Sequence, residues 1–135
     1  MKLIVCLDEE NGMSFFGRRQ SMDRILRENA MALAGGRLWM NSYSARQFAD
    51  FPEGICVAED FLAKAPADAW CFVEIADLAP FLPEATHVAV YRWNRLYPAD
   101  VRFPIANFET KWRLLSTREF AGSSHDRITE EVYAL

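Results

Sequence analysis

The sequence predicts an α/β fold: a single-domain three-layer sandwich over residues 1–135, with a mixed sheet that is mostly parallel and turns antiparallel at its C-terminal edge. Three observations predict it. At 135 residues the chain can bury one substantial core but is too short for two ordinary domains. Apolar runs of strand length alternate with helical spacing through the first half, which is the pattern of parallel crossovers. From Thr86 onward, three longer strand candidates follow one another with no strong helix between them, and antiparallel pairing at one edge is the consequence.

The elements follow in order. LIVCL (Leu3 to Leu7) is a continuous apolar run, as in a central strand buried on both faces. Ser21 offers a helix cap, and Met22, Ile25, Leu26, Asn29, Ala30 and Leu33 recur at helical spacing until Gly35-Gly36 ends the helix. RLWMN (Arg37 to Asn41) reads as a strand, SARQF (Ser44 to Phe48) as a short helix and GICVA (Gly54 to Ala58) as the next strand. A helix near Glu59 to Lys64 and the strand WCFVEI (Trp70 to Ile75) complete the alternating half. THVAVYRWN, WRLLSTREF and ITEEVYAL are the three late strands.

Composition bounds the function. Apolar residues make up 51% and charged residues 25%, values of a soluble globular domain rather than a disordered or membrane-embedded one. The N-terminal apolar run is five residues long, too short for a signal peptide, which predicts a cytoplasmic protein. Cys6, Cys56 and Cys71 are odd in number, widely spaced and set in apolar stretches, so they read as core thiols with neither a disulfide framework nor a metal site. A net charge of -4 gives no reason to expect a nucleic-acid partner, which would need a clustered basic face.

One basic cluster stands out, in NGMSFFGRRQSMDR (Asn11 to Arg24). A serine cap at Ser21 and an acid, Asp23, in the first turn need no ligand to explain them. Asp23 with Arg27 and Arg24 with Glu28 are both i,i+4 pairs. Arg18, Arg19 and Arg24 are different, because cations at a helix start oppose its dipole and call for a negative partner. That partner is internal, from Asp8, Glu9 or Glu10, or external, from a phosphate or carboxylate held by arginine forks and helix amides. Phe15 and Phe16 are expected to anchor their loop to the core, the alternative being a hydrophobic flap over a cleft.

Other constellations read as structure. Ser123, Ser124, His125 and Asp126 hold the residue types of a nucleophilic triad, but consecutive turn positions cannot form the required line, and Gly122 before them marks a hairpin turn. His87 stands alone. Trp39 and Trp70 belong in a core, whereas Tyr91 and Trp93 alternate with Arg92 and Arg95 nearby, suggesting an aromatic face that could take a planar ligand or a second subunit.

The element order, with MKLIVCLDEENGM at the start and YRWNRLYPADVRFP near the end, resembles the dihydrofolate reductase family over nearly the whole chain. The resemblance implies a mixed sheet, an NADPH cofactor and an acid near the first helix, for which Asp23 is the match. It also implies features this chain lacks. The glycine pair beside the cofactor diphosphate falls at Ile75-Ala76, where side chains oppose a close phosphate approach. The family's cofactor-binding Met-Gly-Arg-x-Thr corresponds to Met40-Asn41-Ser42-Tyr43-Ser44, which keeps only the Ser44 hydroxyl. The strand threonine that supports the catalytic acid aligns near Tyr91.

The reading is therefore a divergent dihydrofolate reductase-like protein with no cofactor, binding a small anionic or planar ligand beside the first helix through Phe16, Arg18, Arg19, Ser21, Arg24 and Ser44. Two alternatives stand: an NADPH-dependent reductase with Asp23 as proton donor, and a structural homodimer.

Overall fold

A computed structural model of the protein describes residues 1–104 and 111–135. Strand β1 (Lys2–Leu7) lies at the centre, paired in parallel with β6 (Trp70–Val73) on one side and β7 (His87–Arg92) on the other. Beyond β6 come β4 (Leu38–Met40) and β5 (Ile55–Val57), again parallel. Beyond β7, β10 (Ile128–Ala134) and β9 (Arg113–Phe120) pair antiparallel, giving the order β5-β4-β6-β1-β7-β10-β9.

The continuous apolar run of β1 has a direct consequence. Leu3, Val5 and Leu7 join Phe61, Leu62, Val73, Val88 and Val90 on one face, while Ile4 joins Leu26, Ala30, Phe48, Phe72 and Tyr91 on the other. Strand side chains alternate, so a strand with helices on both sides must be apolar at every position. The covering helices are α1 (Arg24–Leu33) and α2 (Ser42–Ala45) on one side and α3 (Phe61–Lys64) on the other, which makes the predicted three layers. Gly35 and Gly36 end α1 with positive φ, and the Gly36 amide donates to Met31 O at 2.8 Å. Among the described residues no helix is long and apolar enough to cross a membrane.

Several details differ from expectation. The cap of α1 is Asp23 rather than Ser21: its carboxylate accepts from the Leu26 amide, and the helix starts at Arg24. The Arg24–Glu28 pair forms at 3.0 Å, but Asp23 turns away from Arg27, whose Nε is buried with no hydrogen-bond partner among the described residues. Met22 precedes the helix and is half exposed. The aromatic face of β7 is core, since Tyr91 and Trp93 are buried, and Arg92 is paired with Glu131 at 2.7 Å. Of the cysteines only Cys71 is fully buried; Cys6 and Cys56 are intermediate.

The loop after β1 also holds more order than a turn. β2 (Gly12–Phe15), β3 (Arg18–Arg19) and β8 (Val101–Arg102) form a second, three-stranded sheet. Phe15 and Phe16 do not anchor it to the core. Their rings meet at a tilt of 42° with centroids 4.2 Å apart, and Phe16 is 79% exposed.

Candidate functional site

Three segments converge beside the start of α1: the connection from β3 into the helix, the loop after β7, and the β9–β10 hairpin. Asp8, at the end of β1, fastens the first two. Its Oδ1 accepts from the amides of Glu10 and Gly12, and its Oδ2 from Gln20 Nε2 at 2.9 Å and the Tyr97 amide at 3.4 Å. Burial alone would raise the Asp8 pKa, but these donors outweigh it and hold the carboxyl below its ordinary value. Gly12 is required by this approach, because a Cβ there would lie 2.6 Å from Asp8 Oδ2.

The hairpin is fastened by Asp23. Besides capping α1, its carboxylate accepts from the amides of Ser123 at 3.1 Å and Ser124 at 2.8 Å and from Ser124 Oγ, and lies 3.3 Å from His125 Nδ1. Burial pushes its pKa up, and the amides of Ser124, Ser123 and Leu26, with His125, bring it down well below the usual carboxylate range. Gly122 permits the contact, since a Cβ at that position would sit 2.3 Å from Asp23 Oδ2.

The arginines separate into distinct roles. Arg19 is neutralised from within by Glu74, just past the end of β6, which accepts from Nε at 2.9 Å and Nη2 at 3.1 Å. Its guanidinium also lies 4.3 Å from the Tyr43 ring centroid. Asp8, Glu9 and Glu10, the anticipated sources of negative charge, are not its partners: Asp8 serves backbone amides and Gln20, and Glu10 faces Arg102 at 3.9 Å. Arg24 spends its charge on Glu28 at the surface. Arg18 is exposed on β3. Ser44 is buried and donates to Glu74 at 2.9 Å, so it supports Arg19 from behind.

Between these segments opens a pocket of about 450 Å³, lined by Arg19, Ser21, Met22, Arg95, Tyr97, Ser124 and His125. Of the residues anticipated as ligand-binding, Arg19 and Ser21 line it; Arg18, Arg24, Phe16 and Ser44 do not. Tyr97 and His125 were missed. The imidazole is buried, stacked on Trp93 with centroids 4.6 Å apart and planes at 27°, and its Nε2 lies 2.9 Å from Tyr97 Oη and 3.3 Å from Ser21 Oγ. The sequence carried a signal, His125 beside Gly122 and two serines, but its acidic partner lies 102 positions away.

At the same C-terminal end of the parallel strands, beyond Glu74, Ala76 lines a cavity of about 230 Å³ together with Glu59, Asp60, Asp77 and Phe81. Three carboxylate-bearing side chains there oppose a diphosphate.

A mostly parallel central sheet, helices on both faces and an antiparallel edge hairpin define a three-layer α/β domain. Neither a protein-family model nor a curated protein sequence matches the chain. In three dimensions it is similar to dihydrofolate reductase from Enterococcus faecalis complexed with NADP(H) and RAB-propyl: the TM-score is 0.68 at 13% identity, covering 98% of this chain and 94% of that one. The fold is dihydrofolate reductase-like. Fold does not carry function with it, so the activity has to be argued from the site.

Proposed function

We propose that this chain is a small-molecule-binding protein on a dihydrofolate reductase-like scaffold, without reductase activity, taking an anionic ligand in the pocket beside α1. The observation that carries the reading is Arg95. It stands exposed at the pocket and has no carboxylate partner among the described residues, whereas Arg19 across from it is already neutralised by Glu74. An unpaired guanidinium beside Ser21 and Tyr97 offers a charge and two hydroxyls to a carboxylate or phosphate. Met22, half exposed at the rim, gives an apolar body something to rest on.

The reading leaves no place for NADPH. Ile75 and Ala76 put side chains where the resemblance calls for glycine, the cavity beside Ala76 is acidic, and Asp23 is occupied by five donors. Each feature supports a scaffold used without the dinucleotide.

The test is thermal stability with inorganic phosphate or small carboxylates. A ligand present at 100 times its Kd adds about 2.7 kcal/mol to the stability of the folded state. The melting temperature of the wild type should rise with anion concentration beyond a matched chloride control, and Arg95→Ala should remove the rise. An equal rise in Arg95→Ala refutes the pocket; a rise with NADPH at low concentration favours the reductase.

A further inference from the structure

Asp23, His125 and Ser21 lie on one hydrogen-bonded line that ends in the pocket. Asp23 Oδ2 is 3.3 Å from His125 Nδ1, and His125 Nε2 is 3.3 Å from Ser21 Oγ. The imidazole side chain is 2% exposed and the Asp23 side chain 0%. An ionised carboxylate beside Nδ1 fixes the ring proton there, which leaves Nε2 with its lone pair directed at hydroxyls. Holding the hairpin does not require this arrangement. The Ser123 and Ser124 amides already tie it to Asp23, and they would do so with any side chain at position 125.

We propose that this line makes Ser21 Oγ a nucleophile toward esters of small anionic acids, a reaction that rests on the anion pocket proposed above. Arg95 takes the anionic end of the acyl group. Ser21 Oγ bonds to the ester carbonyl carbon while its proton passes to His125 Nε2, and Asp23 stabilises the imidazolium that forms. The carbon–oxygen bond to the alcohol then breaks, and the departing oxygen takes the proton from Nε2. Water attacks the acyl-serine, gives a proton to the same nitrogen, and Ser21 recovers its proton as the acid leaves. The sum is ester and water to acid and alcohol, with no oxidant or cofactor. Tyr97 Oη lies 2.9 Å from the same nitrogen and shares its lone pair with Ser21 at rest.

A fluorophosphonate probe on the intact protein tests this, with the labelled residue located by peptide mass spectrometry. The expected result is labelling at Ser21, absent in Ser21→Ala and about 100-fold slower in His125→Gln, the low end of what a positioned general base contributes. Ser124, whose Oγ faces the protonated Nδ1 at 3.1 Å, and the exposed Ser42 stay unlabelled in the same wild-type sample; this control does not depend on any variant folding. The p-nitrophenyl monoester of succinic acid should be cleaved faster than p-nitrophenyl acetate, a preference lost in Arg95→Ala. Absence of label at Ser21, equal labelling of all exposed serines, or undiminished labelling in a folded His125→Gln protein overturns the reaction. If phosphate still stabilises the protein through Arg95 in that case, only the chemistry falls; if it does not, the binding pocket falls with it.

Discussion

Replacing Asp23 by alanine should cost a large part of the stability of this protein. The carboxylate is fully buried and accepts from the amides of Leu26, Ser123 and Ser124. Loss of a helix cap typically costs about 1 kcal/mol, and each hydrogen bond to a charged group contributes roughly 1.5 to 3 kcal/mol. With the cap and two hairpin amides at the lower end of that range, the loss is about 4 kcal/mol, in line with the roughly 3–5 kcal/mol for breaking a buried ionic contact. Urea unfolding followed by tryptophan fluorescence would read it. For an m-value of roughly 2 kcal/mol/M the midpoint falls by about 2 M, which leaves a domain of ordinary stability, about 5–15 kcal/mol, folded but weakened. Asp126→Ala, just beyond the tied serines and exposed, should change stability by less than about 0.5 kcal/mol. A midpoint in Asp23→Ala within about 0.5 M of wild type, at an unchanged m-value, would refute the argument that one carboxylate joins helix and hairpin.

The same chemistry sets an acid limit. Asp8 and Asp23 both have folded-state pKa values below those of the unfolded chain, so below about pH 4 the unfolded state binds more protons, and stability is lost as the pH falls toward the folded values. The melting temperature should drop steeply below about pH 4, less so in Asp23→Ala; a flat profile there would count against both hubs. Glu74→Gln removes the carboxylate from a guanidinium whose side chain is 19% exposed, and partial solvation should limit the cost to about 2–3 kcal/mol, below the figure for a fully buried pair. Urea denaturation checks it, and a loss under about 0.5 kcal/mol would mean that Arg19 finds solvent without rearrangement.

What the chain determines by itself is its layering. The unbroken run Leu3 to Leu7 requires cover on both faces, Gly35-Gly36 terminates α1, and the late strands β9 and β10 supply the antiparallel edge. These features are local, written in the spacing of apolar residues and in backbone conformations that favour glycine. Ser21 was misread as the cap for a related reason: serine and aspartate both suit a helix start, and the hydrogen bond that decides between them depends on where the hairpin arrives. The pairing of Arg19 with Glu74, 55 residues apart, and of Asp23 with His125 could not be read from spacing, because a strand end and a hairpin turn meet only once the sheet order is set. The exposure of Phe16 belongs with these, since an apolar side chain is buried only if the fold brings it a neighbour. Local periodicity thus decided the scaffold. The partners of its charged groups were decided by the sheet, which brings together residues a hundred positions apart and leaves Arg95 exposed at the pocket.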